Sequence, residues 1–184
     1  RECFLPSWGD FLDINMIKPG SKDHESTDPG GWYDATTQLI AGVLETLERD
    51  DGIPPHRVVI MGQSQGAAAA AHAALQSPRR LAGLCMLQGW MLPAPRAALA
   101  ALGVWPAPDP PPASTRAKAT MLGEGFSGFP VLVAHGNDDD VVHCDCATHS
   151  RRVLRQAGVA LESHTLDGAG HGLDDEQELE LQAV

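Results

Sequence analysis

The chain alternates short apolar runs with amphipathic stretches, a pattern typical of a parallel sheet covered by helices. Four runs have the length and the β-branched composition of strands, namely residues 58–61, 81–87, 129–134 and the more polar 159–166. The first of them contains no polar residue, which is typical of a strand buried on both faces, and the last favours an edge position. Helical segments separate the runs, so the order predicts right-handed crossovers in a mostly parallel α/β sheet.

The helical segments are recognised by their period and composition. From Trp32 apolar residues recur with helical spacing until Gly52 and two prolines end the pattern, and the predicted apolar face contains Leu39, Ile40, Val43, Leu44 and Leu47. The alanine-rich segment 67–75 has the highest helix propensity in the chain. Two further helices are predicted at 146–157 and 174–183.

A proline-rich tract at about residues 91–112 interrupts this alternation. A central strand would not tolerate so many prolines, so the tract is an excursion from the sheet. It is interpreted either as a plain surface loop or as a cap over the substrate cleft. With 184 residues the chain is expected to form a single domain, residues 1–184, around one core.

The strongest chemical signal lies between the first apolar run and the alanine-rich helix. There Gly62-Gln63-Ser64-Gln65-Gly66 matches the pattern of a nucleophile elbow, a sharp turn from a strand into a helix. Such a turn raises the serine hydroxyl to the carboxyl end of the sheet. It also places the hydroxyl at the amino end of a helix, where N–H groups and the dipole favour an oxyanion.

A serine nucleophile needs a base, and the base needs a carboxylate that holds its tautomer. The chain supplies both in the expected order, each just beyond a predicted strand. Asp138, Asp139 and Asp140 follow the third run, and the residues alone do not distinguish them. His171 follows the fourth run between glycines.

Composition narrows the classes of function. Thirteen basic and 24 acidic residues give a net charge of −11, which argues against nucleic acid or an anionic membrane as the main partner. No apolar run has the length of a transmembrane helix, so we expect no stable membrane insertion and a cytoplasmic location.

The cysteines do not form an evident disulfide framework, because Cys144 and Cys146 are separated by one residue. We expect reduced thiols, no metal and no cofactor. The alternative is a zinc site built from ligand types in the stretch 143–149, with spacing tighter than zinc sites usually have.

Several stretches resemble the acyl-protein thioesterase and carboxylesterase family of α/β-hydrolases. They span nearly the whole chain and comprise Pro6-Ser7-Trp8-Gly9-Asp10, Gly62-Gln63-Ser64-Gln65-Gly66, Gly89-Trp90, Leu92-Pro93, His135-Gly136-Asn137-Asp138-Asp139-Asp140-Val141-Val142 and Gly170-His171. The resemblance implies an α/β-hydrolase fold in which Ser64 is the nucleophile, Asp139 the acid and His171 the base. It further implies that the backbone N–H of Gln65 is an oxyanion donor and that Trp8, Trp90 and Leu92 contact the substrate.

The chain also departs from the family pattern. Gly9 stands where the family usually has an aromatic residue, Gln63 where it has a bulky one, and Asp140 and His143 where it has prolines. The family's first strands and its His-Gly-x-Gly loop, which gives a second oxyanion donor, precede the stretches that this chain matches. Without that loop the rate is expected to fall about a hundredfold or more, and the strand before Ser64 is expected to expose an apolar edge.

Two hypotheses follow from these observations. In the first, the chain is a serine hydrolase that cleaves carboxylic esters or acyl thioesters through an acyl-enzyme. Its substrate would be an acylated small molecule, a lipid or an S-acylated protein. In the second, it is a catalytically silent fragment or binding module that lacks half of the oxyanion hole.

Overall fold

The computed structural model describes residues 8, 11–13, 15–93, 95 and 128–172. Its elements follow the order α1, Trp32–Asp51; β1, Val59–Gln63; α2, Gln65–Gln76; β2, Gly83–Leu87; β3, Pro130–Gly136; α3, Asp145–Gln156; and β4, Ala160–Leu166. A short 3₁₀ helix, Pro55–Arg57, leads into β1. The proline-rich tract, except for its first residues, and the predicted helix at 174–183 lie outside the described residues.

The four strands form one parallel sheet in the order β1-β2-β3-β4. The parallel pairing and the crossover helices agree with the sequence prediction. The more polar β4 lies at one edge, as expected. Because consecutive strands are neighbours and run in the same direction, all four carboxyl ends meet at one edge of the sheet, where the predicted site residues are located.

The prediction that the first strand is buried on both faces is wrong. Val59 is 58% exposed and Met61 is 68% exposed. Within the described part of the chain β1 pairs only with β2, so its other edge is open. The apolar composition of β1 predicted burial correctly for one face only. That face packs on α2, and its Ile60 lies against the core.

The alanine-rich helix α2 is buried along almost its whole length. Its alanines, from Ala67 to Ala74, are at most 4% exposed, because their small side chains let the sheet and α1 approach closely. Larger residues from the strands complete this core, among them Leu84, Met86, Val131 and Val133.

Helix α1 presents a wider apolar arc than its described neighbours cover. Leu44 is buried and Ile40 packs against the core, as predicted for this face. Leu39 and Val43 belong to the same predicted face, but they are 61% and 51% exposed. The helix ends where Gly52 adopts a left-handed conformation with φ 65°, which glycine accepts without strain. None of the described helices has both the length and the apolar character needed to cross a membrane.

Candidate active site

The turn between β1 and α2 has the geometry of a strained elbow. Ser64 has φ 55° and ψ −125°, a conformation that side-chain-bearing residues rarely adopt. Its backbone N–H donates to the carbonyl oxygen of Leu87 at 2.9 Å, and its own carbonyl oxygen accepts the first hydrogen bonds of α2. The hydroxyl is therefore held at the carboxyl end of the sheet and at the amino end of a helix.

The two glycines of the elbow have different roles. A Cβ on Gly62 would collide with the carbonyl group of Gly66 and with the backbone nitrogen of Ala67, so a side chain at position 62 would prevent the turn. A Cβ on Gly66 would lie 3.6 Å from Nε1 of Trp8, an ordinary contact. Only the first glycine is thus required on steric grounds.

Ser64, His171 and Asp139 are in hydrogen-bonding contact, in the order that the resemblance implies. The Ser64 Oγ lies 2.8 Å from Nε2 of His171, and the His171 Nδ1 lies 2.9 Å and 3.0 Å from the two carboxylate oxygens of Asp139. A carboxylate only accepts, so Nδ1 carries the proton of the neutral ring and Nε2 is free to accept the serine proton. The neighbours Asp138 and Asp140 are exposed.

Asp139, the predicted acid, is held by hydrogen bonds within its own loop. Asp139 Oδ1 accepts hydrogen bonds from the backbone N–H groups of Val141 and Val142 at 2.9 and 2.8 Å. Its side chain is fully buried, whereas that of His171 is 23% exposed. The carboxylate is thus satisfied inside the protein, and the base remains accessible from solvent.

His135, on β3, contacts the loop that holds Asp139. Its Nε2 lies 2.7 Å from the carbonyl oxygen of Val142, and since a carbonyl only accepts, Nε2 carries the proton. The same nitrogen lies 3.3 Å from Oδ2 of Asp139. Burial lowers the pKa of His135 from its ordinary value of 6.5, although the hydrogen bond to Val142 and the charge of Asp139 oppose this. A neutral His135 therefore contacts Asp139 and its loop without bringing a positive charge next to the carboxylate.

The loop after β3 holds Asp139 and the loop after β4 holds His171; after the predicted roles of these residues we call them the acid loop and the base loop. A second set of hydrogen bonds joins the two loops. Asn137 donates through Nδ2 to Asp167 at 2.6 Å and accepts through Oδ1 from the N–H of Gly168 at 2.7 Å. The N–H of Asp138 donates to the carbonyl oxygen of Ala169 at 3.0 Å. These hydrogen bonds connect the loops that follow β3 and β4.

The structure places the remaining predicted residues in two environments. Gln65 is the first residue of α2, so its N–H lies in the turn where the helix favours an anion. Trp8 is 51% exposed and lines a groove of about 290 Å³ beside the elbow, together with Ile40, Ile60 and Met61. Trp90 and Leu92 are each 1% exposed inside a second core cluster, so they pack the fold. Substrate contact by all three remains a prediction.

The proposed zinc ligands are only partly brought together. Ligand atoms of His143, Cys144 and Asp145 lie within 4.8 Å of one another. The Cys146 thiol instead faces the carbonyl oxygen of Ile17, and His149 stacks on His24. Cys85, Cys144 and Cys146 carry free thiols. The expectation that the chain binds no zinc remains a prediction.

Sequence reasoning missed two glutamines beside the base. Gln88 is fully buried at the end of β2, with φ 48°, and Gln63 precedes the serine. Their amides contact each other and the backbone of the base loop. Residue type does not predict this backbone conformation for glutamine. The one signal in the sequence was that two glutamines stand at the ends of two neighbouring predicted strands.

The sequence model of the phospholipase/carboxylesterase family matches residues 3–104. A protein named acyl-protein thioesterase 1 from Neurospora crassa is 29% identical over 167 residues, which are 91% of this chain and 59% of that protein. A probable carboxylesterase SOBER1-like protein from Arabidopsis thaliana is 25% identical over 175 residues, covering 94% and 55%. The chain thus spans a little over half the length of these relatives.

Solved structures show the same fold. The crystal structure of Arabidopsis thaliana SOBER1 has a TM-score of 0.67 at 23% identity and covers 96% of this chain and 71% of that one. Zea mays acyl-protein thioesterase 2 has a TM-score of 0.65 at 20% identity, with 95% and 69% covered. The α/β-hydrolase fold predicted from the sequence is confirmed.

Proposed function

Because the chain belongs to the phospholipase/carboxylesterase family, we propose that it is a serine hydrolase of carboxylic esters or acyl thioesters. The observation that carries the proposal is the contact of Ser64 Oγ with His171 Nε2 at 2.8 Å, while Nδ1 of the same ring contacts Asp139. Two curated relatives are named as a thioesterase and a carboxylesterase, which favours this class of substrate.

The reaction follows from the positions of these atoms. His171 Nε2 takes the hydroxyl proton as Ser64 Oγ attacks the acyl carbon, and Asp139 stabilises the resulting imidazolium. The N–H of Gln65 donates to the oxyanion. The imidazolium then protonates the leaving alcohol or thiol, and the acyl-enzyme remains. His171 takes a proton from a water molecule that attacks the acyl-enzyme, and the imidazolium then returns this proton to Ser64 Oγ as the carboxylic acid product leaves.

The substrate would be an acylated small molecule, a lipid or an S-acylated protein. An acyl group requires an apolar surface, and the groove beside the elbow offers Trp8, Ile40, Ile60 and Met61. This groove adjoins Gln63 and Gly66 on both sides of the serine. Trp8 is the predicted contact residue that lines it.

Labelling with a fluorophosphonate tests the proposal, because such a probe reacts with an activated serine without needing turnover. We expect the chain to be labelled at Ser64 and to hydrolyse short acyl esters or thioesters, and Ser64→Ala to abolish both. Asp139→Asn should lower hydrolysis by roughly 10⁴-fold, since the ring loses the acceptor that fixes its tautomer.

The matched control is Asp138→Asn, which changes an exposed neighbour of the same type and should leave the rate within about twofold. If the folded chain, with a cooperative melting transition, neither reacts with the probe nor hydrolyses either substrate, the hydrolase proposal fails. The silent binding module then takes its place.

A further inference from the structure

A chain of side-chain amides connects the residue before the nucleophile to the backbone of the base. Gln63 Nε2 lies 2.8 Å from Oε1 of Gln88 and 3.3 Å from the carbonyl oxygen of His171. Gln88 Nε2 lies 2.6 Å from the carbonyl oxygen of Gly170. The two amides thus span the ends of β1 and β2 and reach the loop that follows β4.

The direction of these hydrogen bonds is fixed by chemistry. The carbonyl oxygens of Gly170 and His171 can only accept, so both glutamines must turn their NH₂ groups toward the base loop. Gln88 Oε1 then remains as the acceptor for the second N–H of Gln63. A flipped amide at either position would place two oxygens against each other, so the arrangement has a single consistent orientation.

Three features fix the position of Gln88: its burial, its backbone conformation and a backbone hydrogen bond. Its side chain is completely buried, its φ is 48°, and its N–H donates to the carbonyl oxygen of Ala134 at 2.8 Å. A positive φ is unfavourable for glutamine and persists only where the surroundings impose it. The conformation directs the amide out of β2 and toward Gly170.

We propose that Gln88, supported by Gln63, is a positioning residue that sets the distance between His171 and Ser64. The base loop follows the end of β4, and the His171 side chain within it is partly exposed. The hydrogen bond to Gly170 attaches the residue directly before the base to the strand beside the nucleophile. This inference rests on the proposed hydrolase function, because it assigns the two amides to the same catalytic contact.

The test compares Gln88→Leu with the near-isosteric Gln88→Met, neither of which has a side-chain donor for the carbonyl oxygen of Gly170. At saturating fluorophosphonate we expect the labelling rate of Ser64 to fall about tenfold in each, with an unchanged half-saturating probe concentration, because a displaced base slows the chemical step. Gln63→Leu should have a smaller effect, because its direct contact with the carbonyl oxygen of His171 is the longer of the two at 3.3 Å. The effects of Gln63→Leu and Gln88→Leu should not add in the double variant, since the two amides also contact each other.

The matched control is Gln76→Leu. Gln76 also donates through its amide to a backbone carbonyl, that of His72 at 3.2 Å, but it lies at the far end of α2. Labelling of this variant should stay within about twofold of the parent chain. This control shows whether the loss of labelling depends on the position of the glutamine or only on replacing a glutamine that donates to a backbone carbonyl.

A second measurement does not depend on reactivity. In the ¹⁵N-histidine-labelled chain, the Nδ1–H proton of His171 is identified by its loss in His171→Gln. We expect this proton to exchange with solvent about tenfold faster in Gln88→Leu than in the parent or in Gln76→Leu, because the ring leaves Asp139 more often.

The outcomes separate the two proposals. A parent chain that is not labelled at Ser64 overturns the hydrolase function, and the exchange of the His171 proton still decides the role of Gln88. Labelling within twofold of the parent and unchanged proton exchange in Gln88→Leu would overturn the positioning role. So would faster exchange of backbone amides throughout the sheet, because Gln88 would then be supporting the fold.

Discussion

His135 is buried and contacts the loop that holds Asp139. Its protonated nitrogen holds Val142 and lies beside Asp139, while its other nitrogen has no hydrogen-bond partner among the described residues. A second proton on this ring would place a charge where little solvent can stabilise it. Burial therefore keeps the pKa of His135 below 6.5.

This lowered pKa predicts a pH dependence of stability. The unfolded chain binds a proton at His135 below about pH 6.5, whereas the folded chain binds it only at lower pH, so the free energy of unfolding should fall as the pH drops through that value. His135→Gln keeps an N–H donor but does not titrate. Urea unfolding at pH 7.5 and 5.5 should show a smaller loss for His135→Gln than for the parent, and equal losses would contradict the assignment.

At the scale of an element, the elbow depends on the close approach of β1 and α2 at one position. The backbone of Gly66 and Ala67 occupies the space where a side chain on Gly62 would lie. Neither backbone segment can withdraw, because Ser64 is bound to both Leu87 and α2. The close approach of the first turn of α2 to β1 therefore requires the absence of a Cβ at Gly62.

Alanine substitution of the two elbow glycines should give opposite results. Gly62→Ala should lower the free energy of unfolding by at least about 2 kcal/mol, because backbone atoms must shift. Gly66→Ala meets only an ordinary contact with Trp8 and lies in the first turn of α2, so it should be neutral or stabilise by up to about 1 kcal/mol. Urea denaturation measures both, and similar losses in the two variants would refute the steric account.

The order of the elements and the proposed roles of Ser64 and His171 could be predicted from local signals, namely strand composition and the motifs around the serine and the histidine. The choice of Asp139 over Asp138 and Asp140 came from the family resemblance, because the residues alone do not distinguish them. The amide of Gln88 could not be predicted, since its direction depends on a backbone conformation that the residue type does not indicate. Trp90, which the resemblance places at the substrate, belongs to a buried cluster that also contains Ile17 and Ala68. A residue just beyond a strand can face the cleft or the core, and residue type alone does not indicate which.

At the scale of the molecule, the two edge strands of the described sheet, β1 and β4, differ in polarity. The side of β4 is polar and carries Glu162 and His164, which contact each other at 2.9 Å. Among the described residues the outer edge of β1 has no strand partner, and this strand carries the exposed apolar side chains Val59 and Met61. An open apolar edge of this kind is a template for pairing with another chain.

Val59→Lys should therefore reduce self-association, because a lysine on an edge strand opposes pairing with a second strand. Light scattering of the refolding chain should decrease relative to the parent. Leu39→Lys on α1 is the control, since it removes an equally exposed apolar side chain that lies on a helix. An equal decrease in both variants would assign the association to general hydrophobicity.

The joined loops after β3 and β4 also bear on how such a chain could be recombined with a relative. Asn137 and the backbone of Asp138 bind residues 167–169, so the acid and the base belong to one block of sequence, 128–172. A chimera that exchanges this block whole inherits a matched pair of loops. A chimera with its crossover inside α3 instead takes the acid loop from one protein and the base loop from another. The hydrogen bonds between the two loops would then be mismatched next to Asp139 and His171.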